Sequence, residues 1–330
     1  MKLSVSEMRK YLSDKLSSFG FPEKQISLIA ENFLEAEISG KTSHGLSKLI
    51  WFKSAIDKGQ MPIVKDEPTV MKETPVSLLI NGNQATGFYV MNYALELALE
   101  KVKKSGMVGV GLTNTSPTTG YVGAYARKSA EEKMIFLGFN NSPGRVAPHA
   151  SKKKMLGSNP TTVGIPAGDK SVILDMATSK ITVGDLTKSM AVDKPLSKGI
   201  AINANGQPET DPQVVWDEGA LLPIAGHKGS GLALVGEFLA GALTGSRVGF
   251  SVEGGWGTFF ILIDPTMFRE IEEFEKDVKA GIRELKDLPR VNKNTEIYYP
   301  GEQSQIARDQ TLKNDYVEID NNLWNKLEAL

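Results

Sequence analysis

Apolar residues recur at three- and four-residue intervals through the first sixty positions. Met8, Leu12, Leu16 and Phe19 share one face, and Ser4 followed by Glu7 is a capping-box pattern. Together they predict a helix that starts after Ser4 and stops at Gly20. Pro22 fits the first turn of a second helix, with Ile26, Ile29 and Phe33 on one side and Gly40 as its end. Ser43 is expected to cap a third helix, carrying Leu46, Leu49, Ile50 and Ile56 to Gly59.

From about residue 76 short apolar runs alternate with amphipathic stretches. Strands are predicted over 76–80, ending at the turn pair Asn81-Gly82, and over 107–113, 134–139, 171–175 and 258–263. Helices are predicted over 88–104, 121–132 and 231–243, with a charged helix over 265–285. A loop rich in Gly, Ser, Asn and Pro precedes 171, and the tail reads as a strand over 316–319 and a short closing helix. Strands alternating with helices point to an α/β sheet with helices packed on it.

The 330 residues are 41% hydrophobic and 23% charged, enough for one large domain or two medium ones. With 38 basic against 39 acidic side chains the formal charge is −1, so no global field draws in nucleic acid or an anionic membrane. Cysteine is absent, which excludes disulfides, thiolate metal sites and cysteine nucleophiles. Neither a signal-peptide core nor an apolar run of membrane-spanning length is visible, so a soluble cytoplasmic protein is expected. Histidine occurs only at 44, 149 and 227, so a histidine-built metal site is not expected.

Two glycine-rich segments invite comparison with nucleotide-binding motifs. Gly109-Val110-Gly111 follows a predicted strand, but Asn114 stands where the third glycine is needed and no helix begins there. Gly226-His227-Lys228-Gly229-Ser230-Gly231 lacks the spacing of a phosphate loop. It still offers a cation and backbone N–H groups before a helix, or it is an ordinary glycine-rich helix start. Lys152, Lys153 and Lys154 form a basic run that either faces water or meets a phosphate.

The segment Ser43-His44-Gly45-Leu46-Ser47-Lys48 is the richest in chemistry. A helix capped by Ser43 puts His44 in its first turn, where the dipole lowers an imidazole pKa, and places Lys48 on the same face. A proton donor beside a cation suits a 2-oxo acid, whose carbonyl and carboxylate need one of each. A histidine at a helix start also serves purely structural ends.

Ser43-His44-Gly45, Gly157-Ser158-Asn159-Pro160, Asp175-Met176-Ala177-Thr178, Gly226-His227-Lys228-Gly229, Ile263-Asp264-Pro265 and Tyr299-Pro300-Gly301-Glu302 occur in one order along the chain. In this the chain resembles the type-2 malate/L-lactate dehydrogenase family over nearly its whole length. That family includes ureidoglycolate and sulfolactate dehydrogenases, diketogulonate reductase and piperideine-2-carboxylate reductases. The resemblance implies a non-Rossmann α/β domain with a mixed sheet, at 66–264, and a small helical unit built from 1–65 with 265–330. It implies an oxidoreductase using NAD or NADP on a 2-oxo or 2-hydroxy acid or a cyclic 2-imino acid, working as a homodimer. His44 takes the family's acid/base position, with Ser43 orienting it. Cofactor contacts carry over to Ser142, Ser158, Asn159, Asp175, Met176, Ala177, Lys228, Gly229, Gly301 and Glu302. Three departures surround the substrate side. Thr118 replaces a family histidine, Lys48 an arginine, and His149-Ala150-Ser151 an aromatic with a Gly-Gly pair. Lys48, Thr118 and Thr119 are therefore expected to line the substrate pocket. The alternative is a dinucleotide-binding member whose activity is lost or turned to a specialised biosynthetic substrate.

Overall fold

The structure is a computed structural model that describes residues 1–191, 193–254 and 256–330. The helices are α1 Val5–Ser18, α2 Glu23–Ile38, α3 Ser47–Asp57, α4 Gly87–Ser105, α5 Val122–Glu131, α6 Val183–Ala191, α7 Pro212–Asp217, α8 His227–Glu237, α9 Ile271–Asp287, α10 Glu302–Asn314 and α11 Asn321–Glu328. The strands are β1 Lys2–Leu3, β2 Thr69–Thr74, β3 Ser77–Asn81, β4 Met107–Thr115, β5 Ile135–Asn140, β6 Thr161–Ala167, β7 Lys170–Met176, β8 Ala201–Ile202, β9 Pro208–Glu209, β10 Ala220–Leu221, β11 Trp256–Ile263 and β12 Val317–Glu318.

Seven strands form the main sheet in the order β2-β3-β4-β11-β5-β6-β7. Only β3 and β4 pair in parallel, joined across α4, and every other neighbour is antiparallel. The sheet is thus mixed, as expected, and lacks the all-parallel core of a doubly wound nucleotide fold. Phe136 and Phe260 stack on adjacent strands with ring centroids 5.3 Å apart, in a core completed by the apolar face of α4. Gly106, in the left-handed region at φ 73°, ends α4 and turns the chain directly into β4.

A second core gathers α1, α2 and α3 with the C-terminal β12 and α11. Phe33, Phe52 and Phe88 meet edge to face at 5.2–5.7 Å, and Phe88 belongs to α4, so this core is keyed into the sheet layer. β1 pairs with β12, which binds the two ends of the chain together. α9, by contrast, packs against β6 of the main sheet.

Most predicted elements occur within a residue or two of their expected ends. Ser4 and Glu7 form the reciprocal capping box. Pro22 is the residue before α2 rather than inside its first turn. Part of the loop expected before 171 is instead β6, buried at alternate positions. The helix expected over 231–243 starts earlier, at His227, and passes into a π-helical turn at Phe238–Ala242. No described helix is long and apolar enough to cross a membrane.

Candidate active site

The third helix begins later than its sequence suggests, and this reshapes the Ser-His segment. α3 starts at Ser47 with Leu46 as its N-cap residue, and Ser43 makes no capping bond. Residues 42–46 instead form successive turns, with the His44 N–H donating to the Lys41 carbonyl at 2.8 Å and the Ser47 hydroxyl to the Thr42 carbonyl at 2.6 Å. The Leu46 N–H goes to Glu37 Oε2 at 2.8 Å, so a carboxylate of α2 does the work expected of Ser43. His44 therefore precedes the helix.

Freed from capping, the Ser43 hydroxyl faces the ring: Oγ lies 3.2 Å from His44 Nδ1. That contact engages one of the two ring nitrogens. The imidazole pKa falls to about 4, chiefly through burial and then through the charge of Lys48, with Lys41 adding and Asp185 opposing. The lowering was expected, but the cause is burial among cations more than a helix dipole. Asp185 lies in the first turn of α6, held by a reciprocal cap with Thr182. Next to it, the backbone of Gly184 packs against Ser43.

Lys48 sits in the first turn of α3 with its ammonium 4.4 Å from the Trp51 ring centroid. Burial brings its pKa down to about 8, so it remains mostly charged at neutrality.

A second group forms where β5 ends, β6 begins and β7 ends. The Ser142 N–H donates to Asn159 Oδ1 at 3.2 Å, and Thr178 bonds the Ser158 carbonyl through both its N–H and its hydroxyl at 2.9 Å. Asn159 is buried, its amide nitrogen donating to Glu237 Oε2 at 2.6 Å. Glu237 also accepts the Gly249 N–H at 2.7 Å, so α8 anchors this corner through a buried carboxylate. Asp175 accepts from the Gly123 N–H at 2.8 Å and from the Thr162 hydroxyl at 2.9 Å, while burial raises its pKa. Met176 and Ala177 follow it, half-buried, at the end of β7.

Beside Asp175 opens a cleft of about 310 Å³, lined by Lys41, Tyr121, Asp175, Tyr299, Gly301 and Ser304 among others. Gly301, at φ 87°, starts α10 so close to β7 that a Cβ would meet the Ile173 carbonyl. Glu302 is turned away into an ion pair with Lys286 at 2.8 Å. Lys41 lines the cleft and its carbonyl accepts the His44 N–H at 2.8 Å, so the turns that carry the imidazole begin at the cleft's edge.

Thr118 and Thr119 are buried beside the start of α4, where Gly87 has no room for a side chain. Thr118 Oγ1 accepts the Gly120 N–H at 3.3 Å, and Thr119 Oγ1 lies 3.4 Å from the Asn140 amide nitrogen, two residues before Ser142. Lys228 stands apart. It is exposed at the far end of α8, about 13 Å along the axis from Glu237. There the His149 and His227 rings meet at 5.9 Å and the His149 N–H donates to Ser230 Oγ. The Lys228, Gly229 and Ser230 N–H groups donate to Ala225, Ile224 and Gly226 carbonyls, so this start offers an anion fewer free donors than its glycines suggest. Gly229 is explained by the nearness of the Ile224 carbonyl. Within the basic run, Lys154 is bound to the Trp216 and Asp217 carbonyls, while Lys152 and Lys153 face water.

Sequence reasoning passed over Glu37, Lys41, Asp185 and Glu237. A signal existed for one of them, since Thr182-x-x-Asp185 has capping-box spacing.

A family model described as malate/L-lactate dehydrogenase matches residues 3–328. L-sulfolactate dehydrogenase of Methanocaldococcus jannaschii is 33% identical, covering 100% of this chain and 96% of its own, and its solved structure superposes with a TM-score of 0.88. Malate dehydrogenase of Pyrococcus horikoshii is 32% identical over 90% of this chain and 86% of its own, with a TM-score of 0.90 between the structures. A Delta(1)-pyrroline-2-carboxylate/Delta(1)-piperideine-2-carboxylate reductase of Pseudomonas putida is 29% identical over 78% of this chain and 74% of its own. On the full-length match and these identities, the chain belongs to the malate/L-lactate dehydrogenase family.

Proposed function

We propose that this protein is an NAD- or NADP-dependent oxidoreductase that interconverts a small 2-hydroxy acid and its 2-oxo acid, or reduces a cyclic 2-imino acid. The observation that carries the reading is one juxtaposition. A half-buried imidazole, with Ser43 on one ring nitrogen and Lys48 and Lys41 around it, adjoins a polar cleft that ends at Asp175 and Gly301.

The residues fit a dinucleotide. At about 310 Å³, with Tyr121, Tyr299 and Asp175 on its walls, the cleft has room for part of such a ligand, and Gly301 brings α10 against the Ile173 carbonyl at its edge. Asp175, Met176, Ala177 and Gly301 would hold the cofactor, with Ser142 and Ser158 at the neighbouring strand ends. Asn159 and Glu302, both engaged within the protein, would support them. When bound, the nicotinamide supplies or takes the hydride.

The protein's own share is the proton and the carboxylate. At neutral pH His44 is unprotonated, the form that accepts a hydroxyl proton, so the resting site is set for oxidation of a hydroxy acid. An anionic substrate offsets the cations around the ring and raises its pKa, which equips the same imidazole to donate in the reverse direction. Lys48 would take the substrate carboxylate as a point charge, without the two-pronged geometry of an arginine. Thr118 and Thr119 can accept or donate hydrogen bonds but cannot serve as bases near neutrality.

The reading includes a homodimer in the cytoplasm. In support of the dimer, Leu234, Val235, Phe238, Leu243 and Phe250 leave an exposed apolar face along α8 and the segment after it. Titration with NADH and NADPH, followed by a panel of oxaloacetate, sulfopyruvate, pyruvate and cyclic imines, tests the function. Saturable binding with turnover of one class is expected. Binding without any turnover favours a member that has lost or specialised its activity, and no binding refutes the reading.

A further inference from the structure

Glu37 ends its helix in an unusual place for an acid. It lies in the last turn of α2, where the helix dipole is unfavourable to an anion, and only 8% of it is exposed. A carboxylate is costly there without partners. Its Oε2 accepts the Leu46 N–H, the amide of the N-cap residue of α3, from nine positions upstream. In a capping box that amide is held by a glutamate of the same helix, so α2 supplies the cap in trans. The same oxygen lies against Gly45 so closely that a Cβ there would overlap it. The glycine that follows His44 is thereby explained without any ligand. The two residues that directly follow His44 thus both rest on Glu37.

Other charges face this region from each neighbouring element. Lys41 from the turns, Lys48 from α3 and Asp185 from α6 act on His44, and Lys188 of α6 acts on Glu37. Burial, countered by the Leu46 amide and Lys188, carries the Glu37 pKa up to about 7.

We propose that Glu37 is a positioning residue for His44, acting through the Leu46 amide and the Gly45 contact, and that its gain or loss of a proton changes how firmly the turns at 42–46 hold the imidazole. The proposal rests on His44 being the proton-transfer group of the reading above. Ionised Glu37 binds the amide by a charge-assisted bond, stronger than the bond a neutral carboxyl makes. The bond to the Leu46 amide is therefore strongest above pH 7 and weaker below it, while burial of the ionised carboxylate lowers the stability of the fold as a whole over the same range. Glu37→Gln keeps shape and acceptor but cannot ionise, whereas Glu37→Leu leaves the amide unpaired.

With three histidines in the chain, protein carrying ¹⁵N-histidine gives three pairs of ring-nitrogen signals, and His44→Gln identifies the pair from position 44. The His44 signal should show an inflection near pH 7 besides its own ionisation, and Glu37→Gln should abolish it. Glu37→Leu should displace the signal at every pH. On the substrate that the panel identifies, Glu37→Leu should lower kcat by about ten- to a hundredfold with the dinucleotide KM within about twofold. Glu37→Gln should recover most of that loss while flattening the pH dependence near 7. If the His44 titration is the same in wild type and Glu37→Gln, and Glu37→Leu leaves kcat within twofold, the proposal is overturned. If no substrate turns over, the functional reading fails, and the imidazole titration alone upholds or overturns the positioning.

Discussion

Replacing Lys48 by methionine separates carboxylate recognition from everything else Lys48 does. The substitution keeps a flexible stem against Trp51, where the ammonium now lies 4.4 Å from the ring, and removes the charge. A charge-assisted contact to a carboxylate contributes about 1.5–3 kcal/mol, so kcat/KM for an anionic substrate should fall roughly ten- to a hundredfold. Two pH effects accompany that loss. Lys48 is the largest of the charges holding His44 down, after burial, so Lys48→Met should move the acid limb of the kcat/KM profile from about 4 toward the ordinary imidazole range. On the alkaline side the wild type should lose affinity for substrate above about pH 8, as Lys48 deprotonates, and Lys48→Arg should remove that decline. The assay is initial-rate gain of NADH or NADPH absorbance from pH 4 to 10 with the reduced partner of the best substrate of the panel, the direction in which His44 must be unprotonated, alongside dinucleotide Kd by fluorescence. Dinucleotide Kd should stay within about twofold in both variants, since the carboxylate contact is separate from the cofactor cleft. A Lys48→Met enzyme with kcat/KM within twofold of wild type and an unmoved acid limb would refute the assignment.

Other expectations follow from the same contacts. Because the folded-state pKa of Glu37 is raised, the stability it contributes is full below its ordinary value and is lost as pH rises through about 7. Glu37→Gln should accordingly gain up to about 3 kcal/mol over wild type between pH 5 and 9, read from urea midpoints. His44 has the opposite sign: its pKa is depressed, so its contribution is complete above the ordinary imidazole value and is lost as pH falls toward about 4. His44→Gln should flatten that acid limb of stability in thermal melts. Arg127 is buried and joins Arg308 in holding Glu35, linking α5, α2 and α10. Arg127→Met should cost about 3 kcal/mol, with activity at low denaturant retained if the role is structural. Phe52 is fully buried against Phe33 and Phe88, and Phe52→Ala should cost about 3–5 kcal/mol.

Elements whose side chains carry a period were legible before any coordinates. α1 buries the one face that its three- and four-residue spacing marks, and β11 reads as a strand from its short continuous apolar run. β6 was missed because glycine, proline and threonine dominate it, and its pairing with β5 and β7 comes from partners distant in sequence. The start of α3 was misplaced because a local rule, serine as N-cap, lost to a tertiary contact with Glu37. Much the same holds for the candidate site. His44 and Lys48 could be picked out because imidazole and ammonium are rare and close together in the chain. Asp185 gains its meaning from a fold that brings α6 against the turns at 42–46, and Lys41 from one that sets it in the cleft beside β7. The glycines after Ala225 suggested free amides, yet backbone carbonyls three to five residues earlier already occupy them. Spacing shows where a turn can form, and leaves open which acceptors it finds.

A single-turnover comparison of wild type and His44→Gln bears most directly on the chemistry. Each enzyme would be loaded with NADH or NADPH, mixed rapidly with the substrate found in the panel, and followed through oxidation of the nicotinamide. Hydride transfer should slow by at least about a hundredfold in the variant, with dinucleotide Kd within twofold. Transfer at the wild-type rate without the imidazole would contradict the role given to His44.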